Sequence, residues 1–249
     1  MLTEERYATI LQILDEKKAV TVVELTQILN TSESTVRRDL NNLHKSGRLY
    51  KVYGGATSID NSYSTLEETV KDKQDLYREE KTIIARAAAR MIEPRDFVYL
   101  DAGTTTERMI DFLTEKNATY VTNGIAHAIK LASSGFKVFV IGGELKESTE
   151  AIIGTEAMNN LKNYNFTKGF FGANGISTKA GFSTPDASEG LVKSSALSRC
   201  RKAYILADPS KFNRISPITF ANISGATIIT TALKDRKYQD FANILEVTE

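Results

Sequence analysis

Two sets of side chains in this 249-residue sequence have the types and spacing for chemistry. The first lies in "STVRRDLNNLHK", where Arg37 and Arg38 stand side by side and Asn41 and Lys45 follow at helical intervals. A guanidinium can grip guanine O6/N7 or a phosphate with two parallel hydrogen bonds, and an Asn amide can read adenine. Residues 34–51 hold five Lys/Arg (Arg37, Arg38, Lys45, Arg48, Lys51) against one acid, Asp39, whereas residues 1–33 hold three against six. Positive charge is thus concentrated where phosphates would be met. The second set lies in "LDAGTTTERMI", where Asp101, Gly103, Thr104, Thr105 and Thr106 separate a strand-like run from a helix-like one. Backbone N–H groups at such a turn, with three hydroxyls, can cradle a phosphate. The loop has neither Gly-Lys-Ser/Thr nor G-x-G-x-x-G, which disfavours a nucleotide. Taken alone, it is equally an ordinary turn with Thr caps.

The first set needs a helix with partners. Thr3 can cap one whose Tyr7, Ile10, Leu11 and Leu14 fall at helical spacing. Thr21 and Glu24 have capping-box spacing ahead of Val22, Leu25, Ile28 and Leu29. A break at Asn30-Thr31 leads to Ser32, the cap of a third helix that ends at Gly47. Two short helices joined by a turn of about three residues make a helix-turn-helix. At about 100° per residue, Val36, Leu40 and Leu43 face inward, while Ser34, Arg37, Arg38, Asn41 and Lys45 share the outer side. "RLYKVYGGA" then alternates Leu49, Lys51 and Tyr53 against Tyr50 and Val52, a strand that reaches a turn at Gly54-Gly55. A hairpin here is a wing that brings Lys51 and the Gly-Gly backbone to a groove. A small helical bundle with a solvated basic face is the bland alternative. Turn spacing, charge segregation and wing together favour DNA.

Residues 59–80 are polar and carry both charge signs, a connector that turns helical towards "EEKTIIARAAARMI" before Pro94 ends it. It is the expected relay between the two halves. From Asp96 onward the runs DFVYLD, ATYVTN, KVFVIGG, KGFFGANG, KAYILA and ATIITT alternate with helical stretches at 106–115, 125–134 and 187–199. Such alternation predicts a mainly parallel sheet covered on both faces, with ligands at the carboxyl ends of its strands. Those ends carry Thr122 and Asn123, Gly142 and Gly143, Asn174, and Asp208 with Lys211. Glu189 and Lys193, four apart on one helix, are either a surface ion pair or ligand contacts. A phosphate cradle, amide and acid groups for hydroxyls, and one or two lysines suit a phosphorylated sugar.

"TSESTVRRDLNNLHKSGRLYKVYGGA" resembles the N-terminal signature of DeoR-type bacterial transcriptional regulators, with the family's Thr-(Ile/Val)-Arg-Arg-Asp-Leu core at Thr35–Leu40. The resemblance implies a winged helix-turn-helix domain (1–58), a linker (59–80) and a sugar-phosphate-sensing domain (81–249). The sensor fold it implies is α/β, Rossmann-like and similar to ribose-5-phosphate isomerase. DNA contacts are expected from Ser34, Thr35, Arg37, Arg38, Asn41, Lys45, Lys51, Gly54 and Gly55, with a structural role for Asp39. The family's strand-end segments match Asp101–Thr106, Thr122-Asn123, Gly142-Gly143 and Asp208–Lys211. By that resemblance the Thr loop takes the phosphate, and Asp101, Asn123, Glu189 and Lys193 line the sugar side. The isomerase relatives carry Asp-Gly-Ala-Asp-Glu where this chain reads Phe171-Gly172-Ala173-Asn174-Gly175. A general base must be titratable, so a sensor without catalytic residues is expected. An isomerase would have to recruit Asp101 or Glu189. "MLTEERY", "SESTVRRDL" and "VYGGA" look most like fructose-operon repressors of Gram-positive bacteria, which implies fructose 1-phosphate as effector. A tagatose or other hexose phosphate is the second choice.

The bulk composition, 41% hydrophobic and 25% charged with net charge +1, is that of a globular protein. No apolar run reaches the roughly 18–20 residues that cross a bilayer. The opening residues lack a signal-peptide core, so a cytoplasmic location without membrane contact is expected. The single cysteine, Cys200, rules out an internal disulfide and, between Arg199 and Arg201, reads as structural. His44 and His127 are far apart in sequence, so neither a metal site nor a cofactor is expected. The expected partners are double-stranded operator DNA, a phosphorylated sugar and further copies of the chain as homodimer or homotetramer, because operator palindromy mirrors protein symmetry. An activator, or a regulator answering to a partner protein, would use the same parts.

Overall fold

The computed structural model describes residues 3–17, 19–58, 69–233 and 236–248. They fall into two compact units, Met1–Ser62 with Asp75–Arg78, and Tyr63–Gln74 with Glu79–Glu249.

The first unit is α1 (Thr3–Lys17), β1 (Ala19–Thr21), α2 (Val22–Leu29), α3 (Glu33–Lys45), β2 (Tyr50–Val52) and β3 (Gly55–Thr57). Local signals set its boundaries. The Thr21 side chain accepts the Glu24 N–H at 3.1 Å while Glu24 accepts the Thr21 N–H at 2.9 Å, so α2 starts on a complete capping box. Asn30, left-handed at φ 47°, ends α2, and Ser32 accepts the Thr35 N–H at 3.3 Å to start α3. Val36, Leu40 and Leu43 are fully buried against Ile10, Leu14 and Leu25. Each such side chain contributes about 1.5–3 kcal/mol on burial. The strands form one antiparallel sheet in the order β1-β3-β2.

The wing differs from expectation at its tip. Val52 pairs with Gly55, so the two-residue turn is Tyr53-Gly54, with Gly54 at φ +80° and open space around it. Gly55 is not at the tip: it is buried in β3, where a Cβ would come within 2.2 Å of the Val20 carbonyl oxygen. Its lack of a side chain serves the approach of β1, not of DNA. Within this same unit the Tyr77 ring packs on Gly47, with Tyr77 itself at φ +53°.

The second unit opens with α4 (Val70–Gln74) and α5 (Arg78–Ala89), then runs β4 (Phe97–Leu100), α6 (Thr104–Met109), β5 (Thr119–Thr122), α7 (Ile125–Ser133) and β6 (Lys137–Val140). A hairpin follows, β7 (Glu144–Lys146) and β8 (Ala151–Ile153), then α8 (Gly154–Leu161) and β9 (Phe166–Phe171). The remainder is β10 (Gly175–Ser177), β11 (Gly181–Thr184), α9 (Ala187–Ser198), β12 (Cys200–Leu206), β13 (Ile218–Ala221), β14 (Thr227–Thr230) and β15 (Asn243–Glu246). All six expected strands enter one parallel sheet, ordered β15-β14-β12-β9-β4-β5-β6. The edge strand β15, the hairpins and α8 are additional.

Both sheet faces are covered, as continuous apolar strands require. Val98, Leu100, Tyr120 and Phe170 pack with Ile84 of α5, Met109 of α6 and Leu131 of α7. Tyr99, Val121, Phe171 and Ile205 face the other way, onto Leu161 of α8 and Val192 of α9. Chain order runs outward from β4 to β6 on one side and from β9 to β15 on the other. The direction therefore reverses between β4 and β9, and a crevice opens beyond the carboxyl ends of those two strands.

Candidate nucleic-acid interface and effector pocket

On α3, Ser34, Arg37, Arg38, Asn41 and Lys45 are exposed and Thr35 is half-buried. Arg37 pairs with Glu33 one turn earlier at 3.2 Å, whereas Arg38 meets no carboxylate among the described residues. Lys51 of the wing donates to Asn41 Oδ1 at 2.7 Å, which ties the wing strand to the outer face of α3. Asp39 is buried and takes a bidentate grip from Arg6, Nε to Oδ2 at 2.7 Å and Nη2 to Oδ1 at 3.2 Å. The one carboxylate in the basic stretch is therefore turned inward and neutralised, leaving the outer face cationic.

In the second unit, a pocket lies at the β4/β9 reversal. Gly103, Thr104 and Thr105 line it from the loop after β4, Asn174 from the loop after β9, Glu189 and Lys193 from α9, and Lys211 from the turn after β12. Lys73, Lys81, Thr149 and Asp208 complete the polar lining. Four lysines thus face two carboxylates across the pocket. Burial pushes the Lys81 amine down to about 8, Asp208 opposes that shift, and Lys211, Arg108 and Lys73 reinforce it. Glu189 accepts from Thr149 Oγ1 at 2.5 Å and lies 3.4 Å from Lys146, while Lys193 pairs with Asp101. The two α9 residues are therefore neither an ion pair with each other nor a free pair. Each is positioned by a different strand-end loop.

Several expected ligand residues instead build the frame. Asp101 is buried behind the pocket wall, where Oδ2 accepts the Gly172 N–H at 3.1 Å as well as the Lys193 ammonium. Burial raises its carboxyl above the usual range, and Lys193 pulls it back. Thr106 Oγ1 lies within 2.6 Å of the Asp101 carbonyl oxygen and 2.8 Å of that of Gly103, so two threonines, not three, face the pocket. Thr122 Oγ1 donates to the Leu100 carbonyl at 2.6 Å and accepts the Gly124 N–H at 3.0 Å. Asn123 accepts the Ala102 N–H at 2.8 Å and donates to the Ile152 carbonyl at 3.3 Å, bracing the Thr loop against β8. Gly142 and Gly143 lie away from the pocket. At φ +149° Gly143 passes so close to β8 that a Cβ would sit 2.6 Å from the Ile153 oxygen. Polar residues at strand ends can satisfy backbone groups as readily as a ligand, and here backbone groups take them.

Lys81 and Lys73 were not singled out by sequence. In "REEKTIIARAAA" Lys81 stands three and four residues before Ile84 and Ala85, both buried, so its place on the apolar face of α5 was the available signal. Cys200 fits its structural reading: its thiol donates to the Ala196 carbonyl at 3.2 Å, and burial pushes it up to about 12 despite the flanking arginines. Among the described residues no cluster of His, Cys, Asp or Glu could hold a metal ion.

His127 is the other buried ionisable group behind the Thr loop, with Nε2 3.1 Å from Thr106 Oγ1 and 3.2 Å from the Gly103 carbonyl. Burial pushes it down to about 4. The unfolded chain, at the ordinary value near 6.5, then binds the proton that the folded one refuses, so stability falls as pH drops below about 6.5. We expect this residue to cost the second unit about 2 kcal/mol between pH 7 and pH 5, and His127→Gln to flatten that part of the Tm-versus-pH curve. Parallel curves for the two proteins would assign the acid sensitivity elsewhere.

A helix-turn-helix with a cationic outer face and a wing, carried on one chain with a parallel-sheet unit that has a pocket at its strand reversal, defines a DNA-binding transcriptional regulator with a separate sensor domain. The DeoR-like helix-turn-helix domain matches residues 6–62 and the DeoR C terminal sensor domain residues 77–232. The chain belongs to the DeoR family. It is 42% identical to the uncharacterized HTH-type transcriptional regulator FruR of Bacillus subtilis over 97% of this chain and 96% of that one. It is 30% identical to a lactose phosphotransferase system repressor of Staphylococcus epidermidis over 98% of each chain. Among solved structures, a D-ribose-5-phosphate isomerase in complex with phospho-erythronic acid aligns with 54% of this chain and 54% of its own at 14% identity and a TM-score of 0.42. Among the described residues no helix is long and apolar enough to cross a membrane.

Proposed function

We propose that this regulator represses a sugar-utilisation operon and is released from its operator when a phosphorylated sugar, in the first place fructose 1-phosphate, occupies the pocket of the second unit. The observation that carries the reading is the convergence of Thr104, Thr105, Lys81, Lys193 and Lys211 on one crevice, with Glu189 and Asn174 beside them. Lysines and hydroxyls suit a phosphate, and a carboxylate with an amide suits sugar hydroxyls. The lactose phosphotransferase system repressor among the relatives supports repression, and the relative named FruR supports fructose. The α3 face and the wing meet the operator, and a homodimer or homotetramer would present two such faces to a palindrome.

A thermal-shift panel on the full chain tests the effector. Fructose 1-phosphate, fructose 6-phosphate, tagatose phosphates, ribose 5-phosphate and free fructose would be compared. At 100 times its Kd a ligand adds about 2.7 kcal/mol, so one sugar phosphate should raise Tm by several degrees and free fructose should not. A flat panel would sink the sugar-phosphate reading. Thr105→Val should weaken the active compound roughly tenfold or more, the cost of one hydrogen bond to a charged group, and leave operator binding unchanged. Unaltered affinity would move the phosphate away from the Thr loop.

A further inference from the structure

The five-residue helix α4 lines the pocket through Val70 and Lys73. A helix of one turn and a half is not stable on its own, so its anchors decide whether it forms. A capping box starts it, Thr69 and Asp72 each bonding the other's N–H at 3.1–3.3 Å. The Val70 N–H donates to the Ser148 carbonyl at 3.2 Å, and Arg108 reaches the Gln74 carbonyl at 3.5 Å. A further tie comes from α5: the Lys81 ammonium donates to the Lys73 carbonyl. Lys81 is itself buried and lines the same pocket. One ammonium therefore serves both the pocket and the end of α4.

We propose that Lys81 is the positioning residue through which an anion in the pocket acts on α4. The proposal rests on the phosphorylated-effector reading of this pocket. An ammonium gains a charge–charge attraction from a phosphate oxygen that a neutral carbonyl does not offer. A phosphate ester drawn in by Thr104, Thr105 and Lys211 takes Lys81 with it and leaves the Lys73 carbonyl without its donor. Helix α4 then loosens at its C-terminal end. The residues that follow α4 in the chain, Asp75–Arg78, belong to the DNA-binding unit, so the change is delivered along the backbone. Coupling of this kind needs the effector to favour one of two arrangements of the same segment, and the shared ammonium supplies that preference.

The test uses Lys81→Met in the full-length chain, with Lys81→Arg as the variant that keeps a donor. Without ligand, amide exchange of Val70–Gln74 should be at least about tenfold faster in Lys81→Met than in the wild type and close to wild type in Lys81→Arg. Unchanged protection in Lys81→Met would overturn the proposal. With fructose 1-phosphate at saturation, the wild type should release a labelled operator duplex, and Thr105→Val should do so fully at a higher concentration. Lys81→Met, with α4 already loosened, should bind the operator weakly without ligand, and saturating ligand should change that affinity little. Operator affinity equal to that of the wild type without ligand, followed by full release at a higher ligand concentration, would reduce Lys81 to a ligand contact and overturn the coupling. If no compound of the panel binds the wild type, the effector reading fails, and the exchange measurement still decides whether Lys81 holds α4.

Discussion

Lys193→Met is expected to lower the stability of the sensor unit by about 3–5 kcal/mol, the cost of leaving one member of a buried ion pair alone. The side chains of Lys193 and Asp101 are only 7% and 1% exposed. Among the described residues Asp101 has one other hydrogen-bond partner, the Gly172 N–H at 3.1 Å, and its Oδ1 makes no hydrogen bond. Without the ammonium, a carboxylate would sit in a dry pocket wall between β4 and α9. For a unit of this size the loss corresponds to about 6–20 °C in Tm. Lys193→Met with Asp101→Asn removes both charges and should recover most of it, because the penalty comes from the uncompensated charge and not from the missing amine.

The pH dependence of that gap separates charge from packing. Burial already raises the Asp101 carboxyl, and Lys193 opposes the shift. Removing Lys193 raises it further above the unfolded value. The folded variant then binds a proton that the unfolded chain releases, so its stability falls as pH rises through that range. Wild type and variant should be closer at pH 5 than at pH 8. A difference that stays constant with pH would mean that Lys193 acts through its aliphatic stem. Either result bears on the sensor, since an ammonium committed to Asp101 offers a ligand only its remaining donors.

How much of this was legible in the sequence follows from how local each signal is. The helix-turn-helix rests on caps at Thr21 and Ser32 and on a three-residue apolar stripe, all contained within a few turns, and the structure keeps each of them. The six central strands announced themselves because strands buried on both faces read as continuous apolar runs. The edge strand β15, "NILE", is mostly exposed and carries no such run. Strands β7, β8 and β10 are three residues long, too short for alternation to register. The pocket was legible only in part. Strand-end polar residues are visible in sequence, but whether Thr105 faces the crevice while Thr106 turns to backbone carbonyls depends on one step of helix rotation. Gly55 reads as a tip because Gly-Gly invites a turn, whereas its partner across the sheet, Thr21, lies 34 positions earlier. Lys81 was hidden in a charged stretch that resembles a solvated helix face.

Arg38→Ala is expected to weaken operator binding by about 1–3 kcal/mol for each recognition helix engaged, roughly five- to 150-fold per helix, without changing stability by more than about 0.5 kcal/mol. The residue is exposed on α3, and among the described residues no carboxylate holds it, so its guanidinium is available to a base edge or a phosphate. Arg37→Ala should cost less, because Arg37 is shared with Glu33 at 3.2 Å. The neighbouring Asp39→Ala should show the opposite pattern. Its carboxylate is buried beneath Arg6, so removing it strips a partly buried guanidinium of its partner and lowers the stability of the first unit before any DNA is present. Titrating a labelled operator at two salt concentrations distinguishes what Arg38 touches. Loss of a phosphate contact weakens all sequences alike and reduces the salt slope by about one, whereas loss of a base contact relaxes discrimination at one position of each half-site. If Arg38→Ala instead lowers Tm as Asp39→Ala does, the side-by-side arginines are part of the scaffold, and the DNA face must be carried by Ser34, Asn41, Lys45 and Lys51.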